Sequence, residues 1–133
     1  MKVIEIRQST TVKARPEEVY DAVMDPETYE KITGRQARLG RREGDSYVSF
    51  DGLIDGLILH LEPGRKIVRS WRAQQLGWPE DHYSQVSLSF DAVEGGTRVT
   101  CRHKLVPENL AQAVREGWSE GYFQPLKAWF RRS

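Results

Sequence analysis

Three histidines, His60, His82 and His103, are the residues with the widest chemical range in this sequence, since imidazole binds metals and titrates near neutral pH. They fall on three different predicted strands, and none has a partner at the short spacing of a zinc motif. The single cysteine, Cys101, lies two residues from His103 on the same strand face. The sequence therefore predicts no metal site and no cofactor, and it predicts His103 as a partly buried residue hydrogen-bonded inside a cavity.

Few other residues in the sequence are candidates for acid–base or nucleophilic chemistry. Asp51 and Asp55 share a strand face in an extended reading, but a four-residue spacing separates them by about 13 Å, too far for a working carboxylate pair. Cys101 sits in a strand pattern without a triad-like set of partners and is expected to be an inert buried thiol. The sequence favours a protein without catalytic residues, so an enzyme is the less expected reading.

The densest basic cluster suits contact with an acidic protein surface or a phosphate. It consists of Arg35, Arg38, Arg41 and Arg42. A solvated strand face is the favoured interpretation, because Glu43 and Asp45 follow at once and no aromatic residue is interleaved for base stacking.

Composition limits the partners further. The chain has 133 residues, expected to form one domain over residues 1–133, and its 20 basic and 19 acidic side chains leave a net charge of +1. That balance predicts neither nucleic acid nor an anionic membrane as a partner. No segment approaches the roughly 20 apolar residues of a membrane span, and charges interrupt the first residues where a signal peptide needs an apolar run. With one cysteine, a reducing cytoplasm is expected.

The elements that must position these residues can be read from periodicity and turn signals. Residues 2–13 predict a first strand, and Pro16 and Pro26 each open a short helix, the second ending at Gly34. Turn signals then separate six strands, predicted at 36–42, 45–51, 53–62, 65–75, 82–91 and 96–104. Apolar residues recur every three or four positions after Pro107, which predicts a helix over 107–131 with a bend near residues 121–125 caused by Pro125. The elements predict an α+β domain with the last helix on one sheet face.

Six stretches in this order resemble a known family. They are RPEEVY at 15–20, FDGLIDG at 50–56, KIVRSWR at 66–72, WPEDH at 78–82, Gly96-Thr97, and Gly117-Trp118 followed by Tyr122. They are similar to the START-like (SRPBCC) superfamily and, within it, to the carboxy-terminal domain of the activators of the ninety-kilodalton heat-shock protein ATPase. The resemblance implies a helix-grip fold, in which a curved antiparallel sheet of about seven strands grips a long carboxy-terminal helix, with two short helices after the first strand.

The resemblance and the aromatic content together suggest a non-enzymatic module that holds an apolar or amphipathic small molecule between sheet and helix. The predicted cavity residues are Trp71, Tyr83, Val86, Leu88, Phe90, His103, Trp118, Tyr122 and Leu126. The plainer alternative is that these side chains fill the core. A cyclase-like enzyme using His103 is a minor possibility.

The resemblance also implies a second function, a co-chaperone that binds the ninety-kilodalton heat-shock protein and stimulates its ATPase. Its predicted contact surface is Arg35, Arg38, Arg41 and Arg42 with Trp78. The eukaryotic activators carry a separate amino-terminal domain, and nothing in these 133 residues is expected to correspond to it.

Overall fold

One antiparallel sheet of seven strands dominates the computed structural model, which describes residues 1–74 and 77–131. The strands lie in the order β1-β7-β6-β5-β4-β3-β2. Their bounds are β1 Val3–Val12, β2 Arg38–Leu39, β3 Ser46–Ser49, β4 Ile54–Glu62, β5 Lys66–Ala73, β6 Ser84–Val93 and β7 Gly96–Pro107. Among the described residues, the first and last strands of the chain are therefore neighbours, with Gln8 opposite Cys101.

Two short helices follow the first strand, as predicted. The first, α1, spans Pro16–Met24, and the second, α2, spans Pro26–Thr33. Asp25 caps α2 by accepting a 3.0 Å hydrogen bond from the backbone N–H of Thr28. Gly34 ends α2 with a φ of 73°, a left-handed conformation that glycine adopts without a steric penalty.

The predicted strand 36–42 is wrong in length, since only Arg38–Leu39 pairs with β3. The carboxylate of Asp45 accepts hydrogen bonds from the backbone N–H groups of Arg41 and Arg42, at 3.0 and 3.1 Å. A side chain thus takes the donors that a longer strand would have given to its neighbour, and the chain turns. The predicted strand 65–75 ends at Ala73, and its last position, Gln75, lies outside the described residues.

Alternation along the central strands places the core on one face of the sheet. Val86, Leu88 and Phe90 of β6 are buried there, and Val99 and Cys101 of β7 lie beside them. The last helical segment covers this concave face through Val114, Trp118, Tyr122 and Leu126, all of them buried. The predicted faces of β6, β7 and the helix are confirmed.

The closing helix, residues 108–130, is not uniformly α-helical. It starts as a 3-10 turn at Glu108–Leu110, continues as α3 over Ala111–Glu116, widens into a π-helical segment at Gly117–Phe123 and ends as α4 over Gln124–Phe130. The irregularity begins earlier than the bend predicted from Pro125. The π-helical segment ends at Phe123, and Pro125, which has no N–H to donate, lies in the first turn of α4 directly after it.

Candidate functional site

A cavity of about 110 Å³ lies between the concave face of the sheet and the closing helix. Its walls are aromatic and aliphatic, with one charged side chain, Arg69, and the hydroxyl groups of a serine and three tyrosines. The lining residues are Tyr29, Tyr47, Ser49, Phe50, Leu53, Ile54, Arg69, Trp71, Ala73, Val86, Ala113, Val114, Gly117, Trp118 and Tyr122. An apolar cavity with a few polar groups is the usual form of a small-molecule site.

The nine residues predicted from the sequence fall into three places. Trp71, Val86, Trp118 and Tyr122 line the cavity. Four more are buried in the adjoining core: Leu88, Phe90, His103 and Leu126. Tyr83 precedes β6, is 41% exposed and lies against Arg72, whose Cζ is 4.9 Å from its ring centroid, so it is outside the cavity.

Several lining residues were not predicted from the sequence, and the most informative of them is Arg69, the charged one. It lies in β5 between Ile67 and Trp71, and all three point to the concave face. The alternation that identified Trp71 as a core residue therefore also places Arg69 there. The signal was present, but arginine is rarely buried without a partner and was not considered as a core residue.

Arg69 is 6% exposed, and its guanidinium has no carboxylate partner within the described residues. Its one hydrogen bond in that part of the chain runs from Nη2 to Sδ of Met24 at 3.8 Å, and Nε has none. Cζ lies 5.0 Å from the ring centroid of Tyr47, which offsets part of the desolvation through a cation–π contact. A buried charge without a counter-ion is costly.

Tyrosine hydroxyl groups surround this charge. Burial raises the pKa of Tyr29 to about 12, and the positive charge of Arg69 opposes that rise. Burial also raises the pKa of Tyr122, again against the influence of Arg69. The Tyr122 hydroxyl is buried without a hydrogen-bond partner among the described residues, whereas the Tyr47 hydroxyl donates to the carbonyl of Ser70 at 2.6 Å. The site thus holds neutral hydroxyl donors beside one fixed cation.

His103 lies behind the cavity wall in a complete chain of hydrogen bonds. Trp118 donates from Nε1 to Nδ1 of His103 at 3.0 Å, so the proton of a neutral ring is on Nε2. Nε2 then donates to Oγ of Ser84 at 2.7 Å, and Ser84 donates to the carbonyl of Trp71 at 2.9 Å. Burial lowers the pKa of His103 to about 3, in agreement with a neutral ring. Both ring nitrogens are occupied, so His103 orients the two tryptophans of the cavity wall.

The cavity reaches solvent between the β3–β4 turn and the closing helix, where Phe50, Leu53 and Ala113 are partly exposed and Gly117 is exposed. Phe50 has a φ of 52°, a strained value for an aromatic residue. A methyl group added to Gly121 would lie 3.4 Å from Cε1 of Phe50, so the phenyl ring stands close to the π-helical segment at this position. We call this opening the mouth of the cavity.

The predicted partner surface is divided among ion pairs and free cations. Arg35 pairs with Asp51 at 3.4 Å, and Arg41 pairs with Asp25 at 3.0 Å. Arg38 and Arg42 are exposed and have no ion pair in the described part of the chain. Trp78 packs edge-to-face on Trp71 with 5.3 Å between ring centroids and donates to the carbonyl of His82 at 2.8 Å, so it belongs to the outer wall of the core.

The other residues considered for chemistry lie apart from the cavity. Cys101 is fully buried, and burial raises the pKa of its thiol. His60 sits on the surface between Glu62 and Glu43, whose hydrogen bonds raise its pKa. Asp55 pairs with Arg72 on the convex face at 3.3 Å. Across residues 1–74 and 77–131, no cluster of three or more metal-ligating side chains forms, and no helix is long and apolar enough to cross a membrane.

Comparison with known proteins gives a consistent family. The model of the family described as "Activator of Hsp90 ATPase homolog 1-like protein" matches residues 13–131. The human activator of 90 kDa heat shock protein ATPase homolog 1 is 29% identical over 120 residues, which cover 90% of this chain and 35% of that protein. The mouse homolog 2 is 31% identical over 111 residues, or 84% and 33% of the two chains. This chain spans about a third of the curated relatives it matches.

Solved structures share the fold over nearly the whole chain. An HSP90 activator from Plasmodium falciparum superposes with a TM-score of 0.82 at 23% identity, covering 96% of this chain and 95% of that one. CalU16 from Micromonospora echinospora gives 0.77 at 28% identity, covering 97% and 74%. The predicted helix-grip fold is confirmed.

Proposed function

This chain belongs to the Activator of Hsp90 ATPase homolog 1-like family, and from that premise we propose that it is a non-enzymatic binding module that holds a small apolar or amphipathic molecule in the cavity under the closing helix. The observation that carries the proposal is the cavity of about 110 Å³ left by a core that is otherwise well filled. An engineered apolar cavity of about 150 Å³ binds benzene, so this space suits a compact ligand or the end of a longer one that leaves through the mouth.

The walls favour binding over catalysis. His103 uses both ring nitrogens in its hydrogen-bond chain, and the thiol of Cys101 is fully buried in the core and is not among the residues that line the cavity. The tryptophans Trp71 and Trp118 present flat apolar surfaces held in place by that chain. Such walls select a ligand by shape and burial.

Filling the cavity tests this proposal. Ala113 lines it from the closing helix, and Ala113→Phe should place a ring in the space. Ala128→Phe is the matched control, since Ala128 is exposed on the same helix and outside the lining. We expect benzene to bind the natural protein and Ala128→Phe in ligand-observed NMR, and to lose at least tenfold in affinity for Ala113→Phe. Equal binding to all three proteins, or to none, would overturn the proposed function.

A second function, contact with a heat-shock chaperone, is favoured by the family itself and by its relatives, which are named as activators of the 90 kDa heat shock protein ATPase. We propose that such contact uses the exposed cations Arg38 and Arg42 beside the β2–β3 turn, because they are the members of the basic cluster whose charge is not already paired with a carboxylate of the described chain. This surface is separate from the cavity, so the two functions are compatible.

A further inference from the structure

We propose that Arg69 is the anion-recognition group of the cavity and that the ligand is an organic acid, whose carboxylate pairs with the guanidinium while its apolar part extends toward the mouth. The proposal rests on the proposed binding function and adds the chemical class of the ligand. It starts from one observation: a charged side chain is 94% removed from solvent and lines a cavity in which no acidic residue lies.

Arg69 lacks the partners that a structural arginine has. Arg72, three residues further along β5, lies on the opposite face of the sheet and pairs with Asp55 at 3.3 Å. Arg69 has no carboxylate and contacts only the sulfur of Met24 and the face of Tyr47 among the described residues; the Nε atoms of both arginines lack an acceptor there, so the ion pair is what distinguishes the two. A guanidinium presents five donors in a planar fork that matches a carboxylate in a bidentate pair. The unused donors therefore point to a planar oxygen ligand.

A second unpartnered group lines the same cavity. The hydroxyl of Tyr122 is buried and makes no hydrogen bond within the described residues. Buried polar groups in folded proteins are nearly always paired, so an unpaired donor and an unpaired cation lining one cavity indicate a shared partner that enters it. A carboxylate has lone pairs enough to accept from both.

The single positive charge in the lining of the cavity indicates that the ligand is a monoanion. Arg69 is the one charged residue among the residues that line the cavity. A carboxylate neutralises it, whereas a phosphate dianion would carry an uncompensated negative charge into an apolar space. The remaining walls, including Trp71, Val86 and Trp118, suit an aliphatic or aromatic group attached to that carboxylate.

Benzoate and benzamide provide the test, because they have nearly the same shape and differ in charge. We expect calorimetry to give the natural protein at least a tenfold preference for benzoate over benzamide, and no binding of inorganic phosphate. In Arg69→Met the ratio of the two affinities should fall close to one. Arg72→Met is the matched control, since it removes an arginine of the same strand on the opposite face, and its ratio should equal that of the natural protein.

Tyr122→Phe keeps the test valid should Arg69→Met fail to fold. It removes only the unpaired hydroxyl, and the preference for benzoate should fall severalfold. Equal affinity for benzoate and benzamide in the natural protein, or an unchanged ratio in Arg69→Met or Tyr122→Phe, would overturn the role of the cation while leaving the binding function in place. If the natural protein also fails to bind benzene, the proposed binding function itself is overturned.

Discussion

Two polar side chains of the sheet, His103 and Arg69, are buried under opposite conditions. His103 is fully buried, and each of its nitrogens has a partner at 3.0 Å or less. Arg69 is nearly as buried, but its charge has no counter-ion in the described residues. A satisfied polar chain of this kind fixes the orientation of the walls. The unpaired cation is the group to which our proposal assigns recognition of the ligand.

The burial of His103 predicts a pH dependence of stability. Its pKa in the folded protein, about 3, lies below the value near 6.5 expected for an unfolded chain. Between these values the unfolded chain binds a proton that the folded protein does not, so stability falls as pH falls below about 6.5, by on the order of 1 kcal/mol per pH unit. Urea unfolding of the natural protein and of His103→Gln at pH 7.0, 6.0 and 5.0 should show a shallower loss in the variant.

His60 supplies the control for that measurement. Its raised pKa has the opposite consequence, because stability from its contacts with Glu62 and Glu43 is present at low pH and is lost as pH rises through the folded pKa. His60→Gln should therefore leave the loss of stability below pH 6.5 intact or make it steeper. Parallel curves for the natural protein and His103→Gln would contradict the assignment of a buried neutral imidazole.

At the scale of elements, the closing helix is shaped by two glycines in its π-helical segment. A methyl group on Gly117 would meet no heavy atom within 4 Å, whereas one on Gly121 would approach Cε1 of Phe50 at 3.4 Å. Neither glycine needs a left-handed conformation, so alanine is compatible with both backbones. The two positions differ in their neighbours, since Phe50 lies beside Gly121 and no side chain of the described residues lies beside Gly117. π-Helical segments inside α-helices often mark functional sites, and this one borders the mouth.

Gly117→Ala should raise the free energy of unfolding by about 0.4–1 kcal/mol, since alanine restricts the unfolded chain and fits the folded one. Gly121→Ala should gain less, because the added methyl group would lie 3.4 Å from Cε1 of Phe50, at the lower limit of ordinary contact, beside a residue with a strained φ of 52°. Chemical denaturation of the two variants beside the natural protein measures the difference. An equal gain at both positions would show that Phe50 does not constrain the helix.

The elements also show what a sequence can and cannot predict. Alternation in β6 and β7 gave the correct face for Val86, Leu88 and Val99, because a half-buried strand must repeat every second residue. The end of β2 was not predicted, because it depends on the carboxylate of Asp45, which accepts hydrogen bonds from the backbone N–H groups of Arg41 and Arg42. The burial of Arg69 was missed for a different reason. Its position follows from the same alternation, but residue type alone argues against a buried cation.

For the whole molecule, the cavity and the basic surface are independent features. The cavity lies beneath the closing helix, and the exposed cations Arg38 and Arg42 belong to the outer strand β2 and the turn after it. Each can therefore be changed without altering the other. This separation lets the two proposed functions be tested in one protein.

Reversing the free charges tests the chaperone contact. If Arg38 and Arg42 meet an acidic surface, Arg38→Glu with Arg42→Glu should reduce stimulation of the ATPase of the source organism's heat-shock protein at least threefold, and more at low salt. Arg65→Glu is the control, since Arg65 is exposed on the β4–β5 turn. The double variant should still bind benzene. Stimulation that is absent from the natural protein, or unchanged in the double variant, would argue against this surface.

The pairing of β1 with β7 has a consequence for how the chain acquires its structure during synthesis. Strands β2 to β6 each pair with a strand that is adjacent in sequence. In β1, by contrast, Thr10 pairs with Val99 and Val12 pairs with Thr97, so β1 cannot pair until those residues have been synthesised. While the ribosome adds the intervening residues, β1 has emerged with its apolar side chains Ile6 and Val12 uncovered. Closing so long a loop is slow, and exposed strand edges attract other chains. We therefore expect β1 to stay unpaired during synthesis until the last third of the chain has appeared.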